Sequence, residues 1–533
     1  MIDPFRNLDG RKSLALIICV SLIVTVGFGV LRGQDFNWDQ RNYHIGVAHL
    51  LYQDRFWSSV TPAGVQSYFN PYLHQIQYFG IRHLPPIVFG ILLSVVQSLG
   101  FILAGVACLI IARSPAHGFE QREKNVLGLL GFALCMLAPI ALSMAGTTFI
   151  DLVTAVPIIA AYTLLLARDQ VGLMRAAVLA GLLIGMATAL KLTNGVFAFG
   201  VLGFALAGTD SWRQRLWWLL LGAFAVFAAF LAVGGAWQLE LWQRFQNPFF
   251  PFFNNLFHSP DVPAMAGRDT RFLPQSILDI WRFPLYWVTG GSPVESIAAP
   301  SSELPIGDAR WVVVTFGAVP LLAGLAWKRE WRKRWLADPA SGLVFAVLIA
   351  YLLWLGLFGI HRYMVVIEIL CGAALLVLAI QFSRRLVRIG LLTGLTLVSL
   401  GIIEVPNWGR APWNAQWYGI NAQPLDVKGP TIAFLTGVPT FYLAASFPAN
   451  VRFVGLTGAF DFSAEADTSL ARQLKQELND PPGTRIIVID QGSQPEFVTQ
   501  TLRSHGLIAT TRCQNFMVSQ EAFRLCDVEQ IGN

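Results

Sequence analysis

Apolar runs of spanning or near-spanning length recur at 13–31, 85–111, 125–142, 151–167, 216–236, 311–327, 341–358, 363–381 and 389–405. About 20 apolar residues carry a helix across the roughly 30 Å hydrocarbon core of a bilayer, so each run predicts a helix in lipid. The stretch 176–208 is 33 residues long, too long for one span and short for two. Lys191-Leu192-Thr193-Asn194-Gly195 interrupts its middle. Arg168 and Arg175 precede it and Arg213 and Arg215 follow it, so both flanks belong on the same side. The chain is therefore expected to go out and back, with Lys191 near the outer turn, which makes eleven spans.

Basic residues alternate along the connections in the way that sets membrane orientation. One set holds Arg6, Arg11 and Lys12; Arg113, Arg122 and Lys124; Arg168 and Arg175; Arg213 and Arg215; Lys328, Arg329, Arg332, Lys333 and Arg334; and Arg384, Arg385 and Arg388. These are 18 of the 38 Lys and Arg, gathered in six short segments. The N-terminus is then expected in the cytoplasm and the C-terminus outside. The first run follows Arg11-Lys12 without a small-residue cleavage site, so it reads as a retained span. Three long segments, 32–84, 237–310 and 406–533, fall on the outer face, and loops this long are usually functional. The expected division is a membrane domain over 1–405 and an extracytoplasmic α/β domain over 406–533.

In the tail, Thr431–Leu435, Arg452–Leu456 and Arg485–Asp490 look like strands, as does a segment near Leu507–Arg512. Helical spacing covers Ala464–Leu478, and a further helix lies near Pro495–His505. Cys513 and Cys526 are the two cysteines in polar context. A disulfide between them suits an oxidising periplasm better than a metal pair, since no His or third Cys joins them.

Composition agrees with the pattern. Hydrophobic residues make up 54 % of the 533, charged residues 13 %, and the mean hydropathy is +0.53. Soluble domains carry about 25 % charge, so a soluble fold, disorder, a coiled coil and a small disulfide scaffold are excluded. The net charge of +6 sits mostly in the short connections and does not point to nucleic acid. No phosphate-cradling lysine loop, HExxH, GxSxG or dinucleotide fingerprint stands in a suitable context.

The candidate chemistry lies on the outer side. The first outer loop opens with Asp35-Phe36-Asn37-Trp38-Asp39-Gln40-Arg41-Asn42-Tyr43-His44 and continues through Asn70. A carboxylate beside aromatics at the membrane surface suits a general base acting on a sugar hydroxyl, because partial burial raises its pKa. The same residues also suit an interfacial aromatic belt with a solvated Asp. Asp151 heads the fourth span, as a functional carboxylate or as a cap on free backbone N–H groups. Lys191 could hold a phosphate or snorkel. Arg362, in His361-Arg362-Tyr363, is a second phosphate candidate, and Glu368 about 9 Å deeper suits neutralising a cation within the bundle. The aromatics of 246–255 could guide a polyprenyl tail or anchor their loop. Arg268 and Arg271 belong to a polar motif in the second large loop.

Taken together, the chain resembles the GT-C superfamily of integral-membrane glycosyltransferases. The likeness rests on Asp39 in the first outer loop, Asp151 at the second, Lys191 after a short glycine-rich span, and the outer C-terminal domain. It covers about 13–405. The resemblance implies polyprenyl-phosphate sugars as donors and a glycan, lipid or protein acceptor. It implies Asp39 as the catalytic base, Asp151 assisting or binding the acceptor, and Lys191, Arg362 and His361 around the donor phosphate. Tyr43, His44, Asn70 and Arg271 are the candidate substrate contacts. Metal-dependent members often carry a close acidic pair, whereas Asp35 and Asp39 are four apart, so a divalent metal is not favoured. A bacterial inner membrane is the expected location. Two rival readings share the lipid-linked substrate: a transporter or flippase, which would need access from both faces, and a polymerase or ligase, which would use loop arginines such as Arg268 and Arg271.

Overall fold

A computed structural model of the chain describes residues 8–208, 210–264, 269–290, 301–417, 427–456, 460, 466–478, 484–490, 495–504, 506–518 and 521–531. All eleven expected runs are helical. Seven helices are long and apolar enough to cross a membrane: Gly10–Leu31, Pro86–Ala112, Leu173–Leu190, Trp212–Phe245, Arg310–Trp327, His361–Ala379 and Arg385–Ile402. An eighth qualifies if Arg329–Ala337 and Ser341–Leu357, bent by 92° to one another, count as one span. The remaining apolar runs form shorter helices, Gln121–Met136, Ile150–Leu166 and Leu192–Leu206. The longest of these has 17 residues, about 25 Å at 1.5 Å per residue, which is why the qualifying helices are fewer than eleven. The protein is a multi-pass membrane protein.

The chain divides into two compact units, described separately. The first comprises 1–32, 90–235 and 269–408. Its core is one apolar cluster that includes Phe101, Tyr162, Phe197, Trp311, Trp354 and Leu370. With no water in the bilayer to drive helices together, close backbone approach takes over. A Cβ on Gly185 would collide with the Val226 carbonyl, and one on Gly372 with the backbone of Gly131 and Cys135.

Hydrogen bonds fix the direction of the helices around Lys191. Tyr162 donates to the Phe197 carbonyl at 2.7 Å, and Arg168 to the Phe204 and Ala207 carbonyls at 2.8 and 2.6 Å. The helix Val196–Leu206 therefore runs parallel to Ile150–Leu166. Leu173–Leu190 runs opposite to both, because Lys191 at its end meets Asp151 at the start of Ile150–Leu166. The chain reverses at Lys191.

Consequently the unit has two polar ends. At one, ion pairs join Arg385 to Glu120, Arg388 to Glu123 and Arg168 to Asp210, and His117 lies 3.6 Å from Asp338. The short basic connections are thus gathered together. The other end holds Asp151, Lys191 and Arg362, and there Arg32 donates to the Val405 carbonyl at 2.7 Å.

The second unit comprises 33–89, 236–268 and 409–533. It is built on a five-stranded sheet. After the two-residue pair β1 (Gln34–Asp35) and β2 (Arg410–Ala411) come β3 (Thr431–Leu435), β4 (Val451–Gly455), β5 (Arg485–Asp490), β6 (Leu507–Val518) and β7 (Glu521–Gln530). The sheet order is β4-β3-β5-β7-β6. β3 pairs in parallel with β4 and β5, and β7 is antiparallel to β5 and β6. Strand β7 has no counterpart in the sequence reading, and the helix of the first half of the tail is Ser469–Leu478. Of the expected helix ends, 464–465 and 505 lie outside the described residues. Cys513 and Cys526 are cross-strand partners on β6 and β7 and are joined by a disulfide.

Loop segments complete this unit. Val60 extends the edge of β4, donating to the Phe453 carbonyl at 2.9 Å and accepting from Gly455 N–H at 3.0 Å. Asp261 accepts from Ser469 Oγ at 2.7 Å and from Leu470 N–H at 2.9 Å, at the start of the tail helix. Phe250 is buried against Phe245, with ring centroids 4.0 Å apart, while Phe253 nearby is exposed. The aromatics of 246–255 are thus divided between core and surface.

Candidate functional site

In the first unit, the turn before Asp151 is held by Gln97, a fully buried amide. It accepts from Gly146 N–H at 2.7 Å and donates to the Thr147 carbonyl at 3.0 Å. This places Asp151 in the first turn of Ile150–Leu166 with only 4 % of its side chain exposed. Its carboxylate forms an ion pair with Lys191 Nζ, which also lies 4.4 Å from the centre of the Tyr363 ring. Asp151 therefore has a cation partner rather than a capping role, since no side-chain cap closes this helix.

Arg362 follows the same plan. Its Nε donates to both Glu303 oxygens, at 3.2 and 3.3 Å, and its guanidinium lies 4.6 Å from the Phe149 ring and 5.1 Å from Trp408. Side-chain exposure is 14 % for Lys191 and 12 % for Arg362. Two cations from distant parts of the chain are thus brought to residues 149–151, each with a carboxylate partner and an aromatic face. Aromatic faces attract cations while excluding water, which strengthens each charge. Such a frame can exchange a carboxylate partner for a phosphate oxygen.

His361 is placed differently from its neighbour. Its ring is wholly buried against Trp287 and Trp354, with centroids at 4.4 and 6.1 Å. Neither ring nitrogen has a hydrogen-bond partner among the described residues. The His361 ring thus faces the tryptophans rather than the Lys191–Arg362 frame. Deeper in the bundle Glu368 is fully buried. It accepts from the Ile140 and Ala141 N–H groups at 2.9 and 3.0 Å and lies 4.0 Å from Arg310. Arg310 in turn grips Asp308 at 2.6 and 2.9 Å. Arg271 is 76 % exposed and clamped by Asp269, whose carboxyl this guanidinium holds below the usual range. Arg268 lies outside the described residues.

In the second unit, Asp35 is fully buried and occupied, accepting from Asn37 Nδ2 at 2.8 Å and Gln40 Nε2 at 3.1 Å. This network pins the start of the helical segment that carries Asp39. Asp39 is 9 % exposed beside the exposed Trp38, and a π-helical turn, Gln40–His44, follows it. Wide turns of this kind recur at functional sites because they rotate the next side chains off the regular helical face. Tyr43 and His44 are buried here. His44 stacks on His74 with centroids 4.0 Å apart, and Tyr43 meets His44, His74 and Phe69 edge-on. Asn70 accepts from Tyr72 N–H at 3.0 Å, starting the helix that brings in His74. On the following helical stretch His49 bonds to Tyr78 at 2.6 Å, and burial with Arg55 and Arg82 nearby lowers its pKa to about 4. Among the described residues no three His, Cys, Asp or Glu side chains converge as metal ligands.

The sequence alone does not single out Glu303, Phe149, Trp408 or His74, because the groups they meet are distant in the chain. Glu303 lies 59 residues from Arg362. The tight grouping of aromatic and cationic residues in His361-Arg362-Tyr363 is the one local signal that points to part of this frame.

Residues 79–292 match glycosyltransferase family 87. That stretch contains Asp151 and Lys191 and leaves out Asp39 and Arg362. No curated protein matches the chain. Among solved structures, the apo oligosaccharyltransferase of Archaeoglobus fulgidus is similar at 12 % identity and a TM-score of 0.47, covering 92 % of this chain and 71 % of that one. ArnT from Cupriavidus metallidurans, bound to undecaprenyl phosphate, is similar at 14 % identity and a TM-score of 0.42, covering 96 % of this chain and 97 % of that one. Over residues 79–292, the chain carries the sequence pattern of a glycosyltransferase family.

Proposed function

We propose that the protein transfers a sugar from a polyprenyl-phosphate donor to a glycan, lipid or protein acceptor on the periplasmic face of the bacterial inner membrane. The observation that carries this reading is the frame of Lys191 and Arg362, each seated on an aromatic face with a carboxylate partner, at the end of the helical unit away from the basic connections. In this reading the acceptor hydroxyl attacks the anomeric carbon, its proton passes to Asp39, and the bond from that carbon to the donor phosphate oxygen breaks. Lys191 and Arg362 take up the charge left on the polyprenyl phosphate, and Asp151 passes from Lys191 to the acceptor. The family match over 79–292 supports the transferase class.

The test is transfer of radiolabelled sugar from polyprenyl phosphate by purified variants in nanodiscs. Positioned general bases contribute about 10²- to 10⁴-fold in rate. Asp39→Asn keeps the size of the side chain and loses its basicity, so turnover is expected to fall by that factor with donor binding retained. Near wild-type turnover in Asp39→Asn removes Asp39 from the mechanism, and loss confined to Asp151→Asn moves the base there. For the sidedness, reporters fused after Arg334 and after Asn533 are expected on opposite sides of the membrane. The same side for both overturns the topology.

A further inference from the structure

The short helix Arg329–Ala337 stands at 92° to Ser341–Leu357 across a break of three residues. If Ser341–Leu357 follows the membrane normal, the short helix lies in the plane of the surface. Its sequence suits that plane. Residues 328–334 hold five basic side chains, Lys328, Arg329, Arg332, Lys333 and Arg334, and one acid, Glu330. All five cations are exposed. Glu330 pairs with Lys333 at 3.1 Å, and among the described residues Lys328, Arg329 and Arg334 have no carboxylate partner.

The opposite face is aromatic. Trp335 is buried, its ring 5.7 Å from that of Trp331, and Trp331 packs on Gly324 of the preceding helix. Trp327, just before the helix, is 83 % exposed. A tether holds the helix down: the Leu336 carbonyl accepts from Gly208 N–H, and Arg215 donates to the Gly208 carbonyl at 2.7 Å. Trp212 and Arg213 in that neighbouring connection are exposed too.

We infer that this helix is a binding surface for anionic phospholipid headgroups. The charge balance of +4 over seven residues (five basic, one acid) asks for an anionic partner. The aromatic residues beside it suit the depth of the headgroups, where Trp is favoured. Phosphatidylglycerol meets both demands, because it presents a net negative phosphate at that depth. The bend and the tether to Gly208 hold the cations in place, so binding needs no ordering of the helix.

The test uses the purified full-length protein in detergent, titrated with phosphatidylglycerol or phosphatidylcholine, with bound lipid counted by native mass spectrometry. Phosphatidylglycerol is expected to be retained and phosphatidylcholine lost. Each cation replaced by Gln is expected to weaken retention by roughly five-fold, and the variant with all five replaced is expected to show no preference between the lipids. Arg329→Lys, Arg332→Lys and Arg334→Lys together keep the charge and are expected to keep the preference. Should the Gln variant not fold, raising sodium chloride over the wild-type protein reads the same interaction, since added salt is expected to release the lipid. Equal retention of both lipids, or a preference untouched by salt, overturns the proposal. So does displacement by inorganic phosphate where sodium chloride of the same ionic strength has no effect, because the site would then take free phosphate.

Discussion

At one end of the helical unit, Lys328, Arg329, Arg332, Lys333 and Arg334 stand exposed with a single acid among them. At the other end, Lys191 and Arg362 are largely enclosed, each bonded to a carboxylate and laid on an aromatic ring. Both ends are basic, yet their charges work under different conditions. Exposed cations are screened over about 8 Å at physiological salt, so their effect is collective and weak per residue. Enclosed cations keep most of their field, and each is costly to strand without a partner. Recognition of a diffuse anionic surface belongs with the first arrangement, and grip on one phosphate with the second.

The largest expected effect lies between the ends, at charges that are buried. Arg310 is unexposed, bonded to Asp308 and 4.0 Å from Glu368. Removing one partner of a buried pair costs about 3–5 kcal/mol because it leaves charge uncompensated. Arg310→Met is therefore expected to destabilise by that amount, read as loss of thermal or denaturant stability in detergent. Asp308→Asn in the same background is expected to recover part of it. A change below about 1 kcal/mol in Arg310→Met would mean that enclosure does not set the worth of a charge here.

Next come the enclosed cations themselves. Lys191→Ala and Arg362→Ala are each expected to weaken donor use by about 1.5–3 kcal/mol per lost charge-assisted bond, measured as the donor dependence of sugar transfer, with acceptor dependence less affected. Arg362→Lys is expected to rescue only in part, since an ammonium cannot reproduce the planar fork of a guanidinium. Unchanged donor dependence in both alanine variants assigns the two cations to structural pairing with Asp151 and Glu303.

How much of this is legible in the sequence follows from distance along the chain. Helix formation in lipid depends on local apolar length, and all the apolar runs are helices. The interruption at Lys191 is likewise local, and the chain turns there. Strand β5 is readable from an unbroken apolar run, but β7, with Glu521, Arg524 and Asp527 among its residues, offers no such run and becomes a strand only by pairing with β5 and β6. The Arg362–Glu303 bond spans 59 residues, the Lys191–Asp151 pair 40, and the His44–His74 stack 30, so no periodicity within a helix can show them. His361 shows the converse. Its place next to Arg362 in sequence suggests a shared phosphate contact, yet successive residues of the 3-10 turn His361–Met364 point about 120° apart and its ring goes to Trp287.

The smallest expected effect tests the exposed end. Arg385 and Glu120 approach to 3.3 Å with 45 % and 77 % of their side chains exposed, whereas Arg388 and Glu123, one turn along, are 7 % and 6 % exposed. The neighbourhood is the same, so the two pairs differ mainly in access to water. Water weakens the attraction, and holding two long side chains together costs rotamer entropy, so an exposed pair is worth about 0–1 kcal/mol. A double-mutant cycle over Arg385→Gln and Glu120→Gln is expected to return a coupling in that range that shrinks as salt is raised. The matching cycle over Arg388→Gln and Glu123→Gln is expected to return a larger, nearly salt-independent coupling, because the second charge is left in a dry site when the first is removed. Stability in detergent is the readout for both. Equal couplings with equal salt dependence would show that this end is not governed by water access, and the contrast drawn between the two ends would fail at its weakest pair.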